Sequence, residues 1–172
     1  MELFEVMGKR CSVRKYLAKP VEEQKLKKIL EAVNEAPSAG NLQAYKIYVV
    51  RENMVKRMLS EAAFGQSFIE FAPAVLVFCA LPEESAKKYG ERGANLYSIQ
   101  DATIAASYAQ LATTALGLAS CWVGAFNEGK VKEILKIEKE LPVAIIPIGY
   151  AAEKPEKPKR KKLDELIYFM DN

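Results

Sequence analysis

Residues 95–116, NLYSIQDATIAASYAQLATTAL, make the longest run of helical character in the chain, and Gly117 behind them suits the left-handed turn that closes such a helix. Ile99, Ala102, Ile104, Ala105, Tyr108, Ala109, Leu111, Ala112, Ala115 and Leu116 spread around most of its circumference instead of forming one stripe. A helix so apolar has to be covered by other elements or by a second chain, and its many alanines permit close contact.

Working outward from it, AVLVFCA at 74–80 is a continuous apolar run, the pattern of a strand covered on both faces. VAIIPIGYA at 143–151 is another, with Pro147 expected at a bulge or an edge because it cannot donate to a ladder. YKIYVV at 45–50, short and rich in β-branched and aromatic residues, predicts a third strand. Leu26, Ile29, Leu30 and Val33 recur at helical spacing, so 22–36 predicts an amphipathic helix that Pro37 ends. Shorter helices are expected over 2–9, 53–63 with Asn53 as its cap, 66–71 stopped by Pro73, and 129–137; residues 10–20 read as a loop. Strands separated by helices, without a simple strand–helix–strand repeat, predict an α+β sandwich. A chain of 172 residues, half of them hydrophobic, is long enough for one domain spanning 1–172.

Composition excludes several chemistries. There is no histidine, which removes serine–histidine and cysteine–histidine nucleophiles and histidine metal ligands. Cys11, Cys79 and Cys121 are far apart and odd in number, against a disulfide framework or a zinc cluster and in keeping with a reducing cytoplasm. An enzyme built this way leaves its chemistry to a cofactor. The charge of +3, from 25 basic and 22 acidic residues, is not that of a dedicated nucleic-acid binder, although small anionic ligands remain open. The amino terminus lacks the pattern of a signal peptide and no stretch is apolar for a membrane span, so a soluble, cytoplasmic protein is expected.

Neither GxGxxG nor GxxxxGK[ST] occurs, so any phosphate must be held another way. Arg10, Ser12 and Arg14 alternate along the early loop, and alternation in extended backbone points side chains one way. Guanidinium forks beside a hydroxyl match a phosphate, though three polar loop residues also suit plain solvation. Ser38, Asn41 and Gln43 offer donors and acceptors suited to a planar heterocycle; capping and turning explain Pro37 and Gly40 but not Gln43. EKPEKPKRKK at 153–162, with two prolines and six basic residues, is an extended connector to LDELIYF, an apolar segment that needs a surface to dock on. Interleaved Glu153 and Glu156, with no aromatic residue, favour a solvated tail over a nucleic-acid arm.

As a set, RCSVRKY at 10–16, APSAGNLQ at 36–43 and GLASCWVGAF at 117–126 resemble the FMN-dependent nitroreductase family, over essentially the whole chain. The resemblance implies an α/β/α sandwich with a central, mainly antiparallel sheet, in a homodimer with a domain-swapped carboxy-terminal extension and FMN at the subunit interface. It implies that Arg10 and Ser12 hold the FMN phosphate, that Cys11 contributes its backbone, and that Arg14 approaches the pyrimidine end of the flavin. Pro37, Ser38, Ala39 and Asn41, with Gln43 beside them, would be presented to the flavin of the partner subunit. Val123 and Gly124 would lie near flavin N5, and Arg160, with Lys159, would reach the phosphate from the tail. Ala44 and Tyr45 stand where the family often has a proline and a bulky aromatic, and Cys11 where arginine or serine is usual. Trp122, alone among apolar residues, reads as core. The chain is short for the family, without the inserted helices that shape substrate pockets in longer members.

The activity so implied is a ping-pong oxidoreduction. NADH or NADPH gives hydride to flavin N5 and leaves, and a small electron-poor acceptor, a nitroaromatic or quinone, then takes electrons in the same site. Two other readings stay open: a flavin-binding carrier or sensor without turnover, and a flavin-free dimeric interaction module. A dimer is also expected from the uncovered apolar helix and tail.

Overall fold

Four strands, Tyr45–Val50 (β1), Ala74–Ala80 (β2), Ala119–Ser120 (β3) and Leu141–Gly149 (β4), form one antiparallel sheet in the order β1-β2-β4-β3 in the computed structural model, which describes residues 2–170. Every residue of β2 is buried, as its unbroken apolar run predicts. Its two faces go to different cores. Leu76 and Phe78, with Ala144, Ile146 and Ile148 of β4, pack with Leu26, Ile29 and Val33 of helix α2 (Glu23–Asn34) and with Ala105, Ala106 and Ala109 of α6 (Ser98–Ala115). Val75, Val77, Cys79 and Ile145 pack on the opposite face with Leu59 and Ala62 of α3 (Asn53–Ala62), Ile69 of α4 (Phe68–Phe71) and Val131 of α7 (Glu128–Leu135). The period of two along each strand thus supplies both halves of an α/β/α sandwich. The sandwich and the antiparallel sheet are as expected.

The buried alanines of α6 let that helix lie close to the sheet. Its opposite stripe is less well covered: Tyr108 is 37 % exposed, Ala115 is exposed, and Ile104 and Leu111 are half-buried. Gly117 takes the left-handed conformation expected at the helix end, with φ 73°.

The start of this region differs from the expectation of one helix from Asn95. Helix α5 (Pro82–Arg92) comes first, and a π-helical turn, Gly93–Tyr97, joins it to α6 at Ser98. Among α5 residues only Ser85 is buried, so the helix has no apolar stripe to read; its signals are Pro82 at the first position and Glu83 and Glu84 in the first turn. A side chain at Gly93 would meet the Ser85 carbonyl at 2.4 Å, which is why glycine stands at this crossing.

Two further expectations are corrected. Asn53 is the first residue of α3 and not its cap; the Glu52 carboxylate reaches over it to accept from the N–H groups of Met54 at 2.9 Å and Val55 at 2.7 Å. Pro147 lies at neither a bulge nor an edge. It pairs with Val75 inside the sheet, while the ladder irregularity falls opposite Phe78 and Cys79. Ile145 exchanges both backbone bonds with Val123, and β3 is only two residues long, so the missing donor of Pro147 falls where the ladder on that side is interrupted. Tyr16 packs into the gap, its single O–H donating to the Val13 carbonyl at 2.7 Å with the Pro147 carbonyl at 3.3 Å. Observed element ends otherwise shift by a few residues: α1 is Leu3–Lys9, β4 starts at Leu141 rather than 143, and Asn127 caps α7.

At the sheet edge, Lys46 of β1 pairs with Glu140 at 2.8 Å and Tyr48 donates to the same carboxylate at 3.3 Å. The Lys46 ammonium, above all, holds the Glu140 carboxyl below the usual carboxylate range. A carboxyl whose pKa is lowered on folding stabilises above its unfolded pKa, and that contribution is lost as pH falls through the folded value. Glu140→Gln is therefore expected to lower Tm near pH 7, and the difference from wild type should shrink as pH falls below the ordinary glutamate range, in thermal melts followed by circular dichroism.

Candidate functional site

The loop after α1 runs beside the sheet. Val13 donates to Ser120 at 3.1 Å, Leu17 to Tyr150 at 2.9 Å, and Ala152 returns a bond to Lys15 at 2.8 Å. Extended pairing buries Val13 and turns its neighbours outward, and Arg10, Ser12 and Arg14 line one hollow of about 270 Å³. Cys11 lines it too. Pro155, Glu156, Lys157, Pro158 and Arg160 close the other side.

The tail reaches this place because it is tied down. The Glu153 carboxylate accepts from the Arg14 N–H at 2.6 Å, and the Lys157 ammonium donates to the Gly8 carbonyl. With Lys157 so engaged, three arginines and one serine line a hollow that has a single acidic residue, Glu156, in its lining. That donor set fits a phosphate, and guanidinium forks match its oxygens better than ammonium groups would. Lys159 is exposed and lines no part of it. The Arg14 guanidinium also lies 5.9 Å from the centre of the Phe68 ring.

Buried next to this loop is Cys121. Burial pushes its thiol up, while Arg14, Ser12 and Arg10 pull the other way. With burial dominant, this is an unreactive thiol beside a cationic site.

The 37–43 segment stands apart. Pro37, Ser38 and Ala39 line a separate hollow of about 470 Å³ with Tyr97, Gln100, Asp101, Thr103 and Ile104, and no residue lines both hollows. The segment is held in an unusual shape: Gly40, Asn41 and Gln43 are all left-handed, with φ of 57°, 58° and 48°. Ser38 Oγ accepts from the Gln43 N–H at 3.0 Å, and Asp101 Oδ1 accepts from the Ala39 N–H at 2.9 Å. Ser38 therefore shapes its own loop. Gly40 is favoured by its left-handed φ; a side chain there would only displace the ends of Tyr89 and Lys88.

Val123 is buried and gives both backbone groups to Ile145, which leaves Gly124 as the exposed end of that peptide pair. Trp122 packs against the α2–α6 side of the core, its Nε1 3.3 Å from where a Cβ on Gly124 would stand. Its reading as core holds.

A sequence profile described as "Nitroreductase family" matches residues 7–70 and 54–150. The chain belongs to the nitroreductase family. The chain is 35 % identical to an NADH dehydrogenase of Thermus thermophilus, over 94 % of its length and 92 % of that protein. It is 31 % identical to an FMN reductase [NAD(P)H] of Bacillus subtilis, over 92 % of the chain and 70 % of that protein. Among solved structures, an FMN-dependent nitroreductase of Clostridium difficile superposes with a TM-score of 0.82 at 33 % identity, covering 98 % of this chain and 99 % of that one.

Asp101, which holds the 37–43 loop through the Ala39 N–H, is the polar residue here that the sequence does not disclose. An aspartate near the start of a long helix reads as a solvated residue favoured by the helix dipole, yet here it is buried. Among the described residues no group of three or more histidine, cysteine, aspartate or glutamate side chains could hold a metal, and no helix is long and apolar enough to cross a membrane.

Proposed function

We propose that this nitroreductase is an FMN-dependent oxidoreductase that takes electrons from NADH or NADPH and passes them to a small electron-poor acceptor, a nitroaromatic or a quinone. The observation that carries the proposal is that Arg10, Ser12, Arg14 and Arg160 line one hollow of about 270 Å³, with room for a phosphate and the part of a ligand next to it. Bound FMN would supply hydride chemistry at N5, which suits a chain with no histidine to act as acid or base. Donor and acceptor would use the site in turn.

The chain's own part is binding and electrostatics. Arg10, Ser12 and Arg160 hold the phosphate, with the backbone of Cys11 beside them and Lys159 left to solvent. Arg14 places a fixed positive charge where negative charge develops on the flavin, which raises its reduction potential. Ser38, Asn41 and Gln43, on a loop too far from that hollow to share its lining, serve the flavin of a second subunit, with Pro37 and Ala39 shaping the loop. Gly124 offers close approach at the reacting edge, and Val123 anchors it to the sheet.

The homodimer is supported by apolar surface that needs cover. Ile104, Tyr108 and Leu111 form a stripe along α6, and Leu163, Leu166, Ile167, Tyr168, Phe169 and Met170 of the tail are all exposed. A stripe and a segment of this kind suit an exchanged dimer arm.

The visible absorbance spectrum tests the proposal. The purified protein is expected to show a flavin spectrum that bleaches on anaerobic addition of NADH or NADPH and returns when a quinone or nitroaromatic is added. A flavin spectrum unmoved by either nucleotide would favour a carrier or sensor, and no flavin even after reconstitution with FMN would favour an interaction module.

A further inference from the structure

We propose that Asp101 is a positioning residue for the flavin, acting through the 37–43 loop; this rests on the functional reading above. Asp101 lies one turn into α6 and is 2 % exposed. Its Oδ1 accepts from the Ala39 N–H, across 62 residues of sequence, and its Oδ2 is buried with no hydrogen-bond partner among the described residues.

A buried carboxylate with one donor is a poor way to stabilise a helix, since the desolvation of the charge is only partly offset. The neighbouring buried positions Ala102, Ala105 and Ala106 show what this face of α6 needs for packing alone. What the carboxylate adds is a strong acceptor at one point of a strained loop. Asn41 and Gln43 are left-handed without being glycine, a state that persists only where the surroundings impose it. The bond from Ser38 Oγ to the Gln43 N–H lies inside the loop and cannot orient it on the domain. Asp101 ties the loop's first turn to the helix, and so sets where Ser38, Asn41 and Gln43 are presented. The unpaired Oδ2 is the cost of that tie.

The test removes the acceptor, keeps it, and removes the donor. Asp101→Ala deletes the acceptor, Asp101→Asn retains an acceptor oxygen without the charge, and Ala39→Pro deletes the N–H. Ser38, at φ −141° and ψ 157°, already has the extended backbone that a following proline requires, so Ala39→Pro asks the same question if Asp101→Ala does not fold. Two readouts are taken: the FMN dissociation constant by fluorescence quenching, and amide hydrogen exchange of 37–43 in flavin-free protein. Asp101→Ala and Ala39→Pro are expected to weaken FMN binding by ~10-fold, as loss of a hydrogen bond to a charged group predicts, and to speed exchange in the loop. Asp101→Asn, which keeps an acceptor oxygen but loses the charge, is expected to fall between wild type and Asp101→Ala in both readouts, a partial rescue that a purely structural charge would not show.

Unchanged loop exchange and unchanged FMN affinity in the alanine and proline variants would overturn the proposal, as would equal weakening by asparagine and alanine. If wild type itself takes up no FMN, the functional reading falls and the flavin part of this proposal with it. Unchanged exchange in Asp101→Ala would sink the role of Asp101 alone.

Discussion

Arg10→Ala is expected to purify largely without flavin. Arg10 lines the hollow in which Ser12, Arg14 and Arg160 converge, and its guanidinium can meet two phosphate oxygens at once. Removing it does more than delete one ion pair. Of the remaining cations, Lys157 is occupied by the Gly8 carbonyl, while Arg14 and Arg160 already line the hollow from their own positions. A charge-assisted contact of this kind contributes about 1.5–3 kcal/mol, so the dissociation constant for FMN should rise by about 10- to 100-fold. Fluorescence titration of the stripped protein measures this directly. Lys161→Ala, one residue from Arg160 but outside the lining, removes the same charge from the same tail and should leave affinity within about 2-fold. Equal losses from Arg10→Ala and Lys161→Ala would mean that the tail and loop attract the cofactor only through diffuse charge, and the phosphate site would be misplaced.

Phe78→Ala is expected to cause the largest loss of stability. Phe78 is 0 % exposed on the central strand β2, paired between Ile47 of β1 and Ala144 of β4. Its ring lies in the core that joins the sheet to α2 and α6, among Leu76, Ile146, Ile29 and Ala105. Alanine there leaves a cavity bounded by a sheet that cannot collapse without breaking its ladders, so the cost should be about 3–5 kcal/mol. For a chain of this size that lowers Tm by about 10 °C, read from circular dichroism melts. A fall of only a degree or two would show that α6, whose core-facing residues are small, can settle into the space.

These two predictions draw on different parts of the molecule, and the sequence disclosed them unequally. Strands β1, β2 and β4, helix α2 and the long helix are legible because burial imposes a period, whereas the two-residue β3 is too short to show one: Leu26, Ile29 and Val33 repeat at helical spacing, and the apolar run 74–80 is buried on both sides. Helix α5 escapes because it buries almost nothing, and Glu52 escapes as a cap because a long carboxylate does the work expected of the shorter Asn53. Of the candidate site, Ser12 and Arg14 share a side across buried Val13 because extended backbone alternates, a local rule that needs no fold; Arg10 and Cys11 both line the hollow, so alternation does not reach back to them. Arg160 is different. One cation in a run of six has no sequence feature that selects it, and it faces the hollow only because Glu153 and Lys157 tie the tail across the loop. Asp101 is different again, since whether a helical aspartate meets water or an amide 62 residues away depends on how two elements pack.

By itself the sequence determined the family, the layered class and the absence of histidine chemistry, because composition, motif order and periodicity are properties of the chain. The tertiary structure alone decided which charges converge, which polar groups are buried and which apolar stripe stays uncovered, because those follow from the distances between elements far apart in sequence, and no local pattern encodes them.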